Sequence, residues 1–228
     1  MAPRIFADRL DAGRRLGARV AAVLRSRSPA PGTGPTPLVL GLARGGVPVA
    51  REVADAIADA SGACDLDVLV VRKIGAPGHE EFAMGALTAD HLVVNDDIPR
   101  RLGVSAAEFD SAADRQRRIL HDRERLYRGD RPRLDVRGRP VVLVDDGLAT
   151  GSTMAVAIDS VREAGGAAVI VAVPTAPSDS IAPLRDRGVS EVVVLSTPEP
   201  FHAVGLSYED FTQVDDAAVI AALDQSRE

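Results

Sequence analysis

Apolar residues in this chain fall into short uninterrupted runs, separated by longer stretches in which they recur at helical spacing. Residues 38–42 (LVLGL), 67–71 (DVLVV), 91–94, 141–144 (VVLV), 168–173 and 191–195 read as strands. The β-branched run 141–144 has no polar alternation, as expected for a central strand covered on both faces. Residues 8–24 place Leu10, Leu16, Val20, Val23 and Leu24 at near-helical spacing. A helix is predicted over 48–60, with Pro48 suited to its first turn, and another over 178–187. Residues 105–128 form a long helix opened by Ser105 with Glu108 three residues on, a capping-box pattern. It carries Phe109, Ala113, Leu120 and Tyr127 on one loose face. Strand and helix alternate, so the chain is α/β: a mainly parallel, doubly wound sheet with helices on both faces. The chain length suits one domain, 1–228.

The chemistry collects at strand ends. After 141–144 come Asp145 and Asp146, then Gly147, a small-residue turn and a helix start carrying Thr150, Gly151, Ser152 and Thr153. In open α/β sheets ligands bind outside the carboxyl ends of the strands. Two acids there suit hydroxyl groups or a hydrated metal, and free amides beside hydroxyls at a helix start cradle a phosphate. An ordinary strand, turn and helix with an Asp as cap is the plain alternative for the acids alone. Residues 38–42 likewise run into Ala43, Arg44, Gly45 and Gly46 before a helix, and 67–71 runs into Arg72 and Lys73. The chain has 27 Lys plus Arg, and Lys73 is its one lysine.

VVLVDDGLATGST resembles the phosphoribosyl pyrophosphate (PRPP) motif of the type I phosphoribosyltransferases. The resemblance covers the core at about 38–195 and implies that fold, with a small hood drawn from the N-terminal helix and the C-terminal tail. By it, Asp145 and Asp146 hold the ribose hydroxyls, while Gly147, Ala149, Thr150, Gly151, Ser152 and Thr153 wrap the 5-phosphate. Ala43, Arg44, Gly45 and Gly46 match the family's pyrophosphate loop, which often contains a cis peptide. Arg72 and Lys73 match a further pyrophosphate contact that leads into a mobile lid, here 75–84. Arg44, Lys73, Asp145 and Asp146 then carry catalysis. Mg²⁺ is the implied cofactor, held by Asp145 and Asp146 through water; PRPP and a small nitrogen acceptor are the implied partners. The Ala149-Thr150-Gly151 sequence is like that of adenine enzymes and lacks the acid that hypoxanthine-guanine enzymes place before Thr-Gly, so an adenine-like purine is favoured. The lysine that adenine enzymes usually carry near Ala76 is missing. A PRPP-sensing regulator without turnover is the alternative.

Composition narrows the rest. A net charge of -6 and interleaved acids and arginines in 105–128 argue against nucleic-acid binding. The helix 105–128 is open to two roles, a homodimer contact or an arm near the active site. One cysteine, Cys64, rules out an internal disulfide. Residues 1–24 lack a signal-peptide core, and no apolar stretch nears the roughly 20 residues of a membrane span, so a soluble cytoplasmic protein is expected. The segment 26–37 is a Pro- and Gly-rich loop; its GTGPT does not follow a strand and open a helix, so it is no dinucleotide fingerprint. With only 3% aromatic residues, Phe201, Tyr208 and Phe211 in the tail stand out. They either stack on a base or pin the tail to the core. His79, in the lid, is a candidate proton carrier beside its plainer role as a solvated loop residue.

Overall fold

A computed structural model of the protein describes residues 5–27, 34–95 and 97–224. In chain order the first half contains α1 (Arg9–Arg27), β1 (Leu38–Leu42), α2 (Gly46–Ser61), β2 (Asp65–Leu69), β3 (Arg72–Ala76), β4 (His79–Leu87), β5 (Leu92–Val94), α3 (Asp97–Leu102) and α4 (Ala106–Arg128). The second half contains β6 (Pro140–Val144), α5 (Ser152–Glu163), β7 (Ala168–Thr175), α6 (Ile181–Arg185), β8 (Glu191–Ser196) and α7 (Asp216–Asp224).

Five strands form a parallel sheet in the order β2-β1-β6-β7-β8. Its uninterrupted apolar strands are explained by cover on both faces. Leu38, Leu40, Leu143 and Val171 pack with Met154 and Ile158 of α5 on one side. Val39, Val142 and Ile170 pack with Val49 and Val53 of α2 and with Leu16 and Val20 of α1 on the other. Burying one such side chain contributes roughly 1.5–3 kcal/mol, so α1 is part of the core and its first turn is fixed relative to the sheet. The N-terminal helix expected in a hood therefore lies over the sheet.

Three sequence expectations shift. β2 starts and ends two residues early, so Arg72 and Lys73 do not hang in a loop beyond a parallel strand. They open β3, which pairs antiparallel with β4, and β4 pairs with β5 in a separate three-stranded sheet. The turn-rich lid is a β-hairpin: Ile74 and Ala76 point into a third core cluster with Met84, Leu120 and Tyr127, while Lys73 is exposed. The helix expected at 178–187 resolves into a 3₁₀ turn, Ser178–Ser180, followed by the five-residue α6.

The helix α4 begins as predicted. Ser105 Oγ accepts from the Glu108 amide at 3.3 Å, and the Ser105 amide donates to Glu108 at 2.9 Å. No described helix is long and apolar enough to cross a membrane. Part of the predicted loop 26–37 lies outside the described residues.

Candidate active site

Strands β1 and β6 are parallel neighbours, with Gly41 beside Val144 near their carboxyl ends. From β1 the chain passes through α2 to β2 on one side; from β6 it passes through α5 to β7 on the other. The connections take opposite faces and directions, which makes the gap between the two strand ends a topological switch point, where crevices form. Residues 43–46 line one side of it and 145–151 the other. The Ala43–Arg44 peptide bond is cis.

The two loops touch, and the contact demands glycine. A Cβ on Gly45 would lie 2.0 Å from Asp146 Oδ2, and one on Gly46 would lie 2.6 Å from the Val144 carbonyl oxygen and 2.8 Å from Asp145 Cα. The Asp145 carboxylate accepts from the Asp146 amide at 2.9 Å. Asp146 Oδ2 accepts from Arg9 Nε at 2.9 Å and lies 2.9 Å from Arg9 Nη2. Arg9 also donates to the Thr212 carbonyl at 2.8 Å, and its guanidinium lies 3.9 Å above the Phe211 ring. The first turn of α1 thus brings a cation to the second acid.

Burial, with the charge of Asp146 beside it, holds the Asp145 carboxyl well above its ordinary range. Burial also raises Asp146, opposed by Arg9. A raised carboxyl keeps its proton where the unfolded chain has lost its own, so the native state binds more protons and stability falls as pH rises through that window. Asp145→Asn removes this penalty at nearly constant size. Its thermal midpoint should rise at neutral pH, by about 2–4 °C for each 1 kcal/mol relieved, and the gain should shrink on acidification and vanish only below the ordinary carboxylate range, where folded and unfolded chains both hold the proton; calorimetry across that pH range checks this.

The turn after the acids ends at Gly151, with φ +71°, a left-handed conformation that opens α5 without a side-chain cap. Thr150 Oγ1 donates to Ser152 Oγ at 3.1 Å and accepts from the Ser152 amide at 3.4 Å. Ala149 and Thr150 are exposed. An uncapped helix start with adjacent hydroxyls suits an anion, because its first amides have no partner within the helix.

The remaining predicted residues divide. Arg44 sits in the 43–46 loop with its Nη1 3.7 Å from Asp216 Oδ1 of α7. Arg72 Nε donates to Gln116 Oε1 of α4 at 3.0 Å. His79 is exposed at the hairpin turn. The tail aromatics do not form a common open platform. Tyr208 is 1% exposed, stacked between Phe6 and Phe211 at 5.4 and 4.9 Å, and its hydroxyl donates to the Asp146 carbonyl at 2.6 Å. Tyr208 and Phe211 therefore pin the tail beneath the acid pair, whereas Phe201 is half-buried outside this stack. Sequence reasoning missed Arg9, Gln116, Arg123 and Asp216, all of which reach the site only through the fold.

Among the described residues no cluster of three or more His, Cys, Asp or Glu side chains could hold a metal. Asp145 Oδ1 accepts from the Asp146 amide and Asp146 Oδ2 from Arg9, so the adjacent carboxylates are fixed in place at the crevice. Two adjacent carboxylates of this kind would suit a hydrated Mg²⁺ ion.

A model of the phosphoribosyl transferase domain family matches residues 7–196, both crevice loops included. The chain belongs to the phosphoribosyl transferase family. Relatives from two strains of Mycobacterium tuberculosis, provisionally named phosphoribosyl transferases, are each 43% identical over 225 residues. These matches take in 98% of this chain and 47% of each relative, so the chain spans about half the length of the curated relatives it matches. A solved structure from Thermus thermophilus is 43% identical, with a TM-score of 0.75, covering 96% of this chain and 97% of that one. The phosphoribosyl transferase match begins ahead of Arg9 and ends with β8, so the tail that pins the acid pair lies beyond it.

Proposed function

We propose that this protein transfers the 5-phosphoribosyl group of PRPP to a nitrogen of a small acceptor and releases pyrophosphate. The observation that carries this reading is the meeting of two anion-suited loops at one switch point, with a carboxylate pair between them. Family membership supports it.

In the proposed reaction the bond from the ribose anomeric carbon to the pyrophosphate oxygen breaks and a bond from that carbon to the acceptor nitrogen forms. The leaving group keeps the electron pair, and the acceptor nitrogen gives up its proton. The anomeric carbon has oxocarbenium character meanwhile, so the protein's task is alignment and charge stabilisation. Gly147 and 149–153 hold the 5-phosphate with loop amides, hydroxyls and the start of α5. Asp145 and Asp146 accept from the ribose hydroxyls, and Arg9 keeps Asp146 oriented. The 43–46 amides, Arg44, Arg72 and Lys73 receive charge as pyrophosphate leaves. Asp145 and Asp146 would hold Mg²⁺ through water, and the ion would supply electrostatic neutralisation of the departing pyrophosphate.

For the acceptor, Ala149 ahead of Thr150-Gly151 favours an adenine-like purine over hypoxanthine or guanine. Phe201 is the one tail aromatic outside the buried stack, and it takes the base-stacking role. Pyrophosphate release from PRPP and Mg²⁺ across a panel of nucleobases tests the assignment. Release that depends on one base supports the transferase and names its acceptor. PRPP binding without release for any base turns the reading to a PRPP sensor, and no PRPP binding at all overturns it.

A further inference from the structure

We propose that Asp216 is a positioning residue for Arg44, fixed beside the 43–46 loop by Arg123 and Tyr127 of α4. The proposal rests on the assignment of that loop to pyrophosphate. Asp216 is the first residue of α7, and its carboxylate is held firmly from α4. Arg123 Nη1 donates to both of its oxygens at 2.5 Å, and the Tyr127 hydroxyl donates to Oδ1 at 2.8 Å. Tyr127 is itself 2% exposed, packed in the cluster that joins α4 and α7 to the hairpin.

Arg44 stands differently. Its Nη1 is 3.7 Å from Asp216 Oδ1, within ion-pair range and beyond hydrogen-bond length, and its side chain is 33% exposed. The carboxylate therefore sets the direction of the guanidinium without engaging that N–H group, which stays available to a phosphate oxygen. Two guanidiniums share one carboxylate, so the trio keeps a net positive charge and still attracts an anion. The same helix braces the second arginine near the loops through Gln116 and Arg72. This gives α4, which lies between the hairpin and β6 in sequence, a role beside the site.

Calorimetric titration of pyrophosphate with Mg²⁺ into the whole protein and its variants tests the proposal. Asp216→Asn should bind about fivefold more weakly, the upper end of what a partly exposed ion pair contributes, in a protein that still melts cooperatively; Asp216→Glu should recover most of the loss. Charge removal alone predicts the opposite sign, because an anion gains when a nearby carboxylate is neutralised. Arg123→Gln provides a second arm: with its firm partner gone, Asp216 draws Arg44 to itself and pyrophosphate binding weakens. Asp216→Asn that binds pyrophosphate as tightly as the parent, or more tightly, overturns the proposal while the assignment of the loop stands. A parent protein that binds neither PRPP nor pyrophosphate overturns both together.

Discussion

Gly45→Ala is expected to lower phosphoribosyl transfer by about 10²-fold or more in a protein that still folds. The added Cβ would lie 2.0 Å from Asp146 Oδ2 and 2.7 Å from its Cγ, so either the carboxylate or the 43–46 loop must move by more than an ångström. A misplacement of that size at reacting groups costs on the order of 10² in rate. It also breaks the Arg9 pair on the same oxygen. The backbone is not the cause, since Gly45 has φ -58° and ψ -31°, which alanine adopts readily. Gly62→Ala is the control. Gly62 has φ +91° with nothing within 4 Å of an added Cβ, so alanine there should cost about 1 kcal/mol of stability and leave turnover unchanged. Initial rates and thermal midpoints of both variants make the comparison.

Asp145→Asn combined with Asp146→Asn is expected to weaken PRPP binding by about 10³-fold. Hydrogen bonds to charged groups contribute roughly 1.5–3 kcal/mol each, and both acids lose their charge toward the ribose hydroxyls. The fold should survive. The amides match the carboxylates in size, Arg9 keeps its bond to the Thr212 carbonyl and its seat over Phe211, and neutralising Asp145 relieves a buried charge. Calorimetric PRPP titration with a circular-dichroism melt on the same samples checks both halves. Affinity within a few-fold of the parent would remove the acids from the ribose site.

What the sequence made legible follows the kind of force involved. The strands β1, β6, β7 and β8 announce themselves because a sheet covered on both faces needs unbroken apolar runs. The start of α4 is legible because a capping box is local. The hairpin was hidden: GAPGHEEFAMGA reads as turn and charge, while its pairing comes from long-range contacts of Ile74, Ala76 and Met84 with α4. The short α7 was also missed, since its apolar residues, Val219, Ala222 and Leu223, gain meaning only against that same cluster.

The site divides in the same way. Its loops follow strand ends and could be read directly, including the acid pair. The groups that set their charge and direction could not. Arg9 is one arginine among several in α1 and meets Asp146 across 137 positions of sequence. Asp216 is an ordinary helix-opening acid until the fold carries it to Arg44 and Arg123.

In the proposed function the loops closing β1 and β6 form one PRPP site. Backbone amide exchange, followed by mass spectrometry with and without PRPP and Mg²⁺, addresses it most directly, because a phosphate cradle is made of amides. PRPP is expected to slow exchange in two separate peptides at once, one covering 43–47 and the other 145–154. Slowing in neither peptide, with PRPP demonstrably bound, would contradict that assignment.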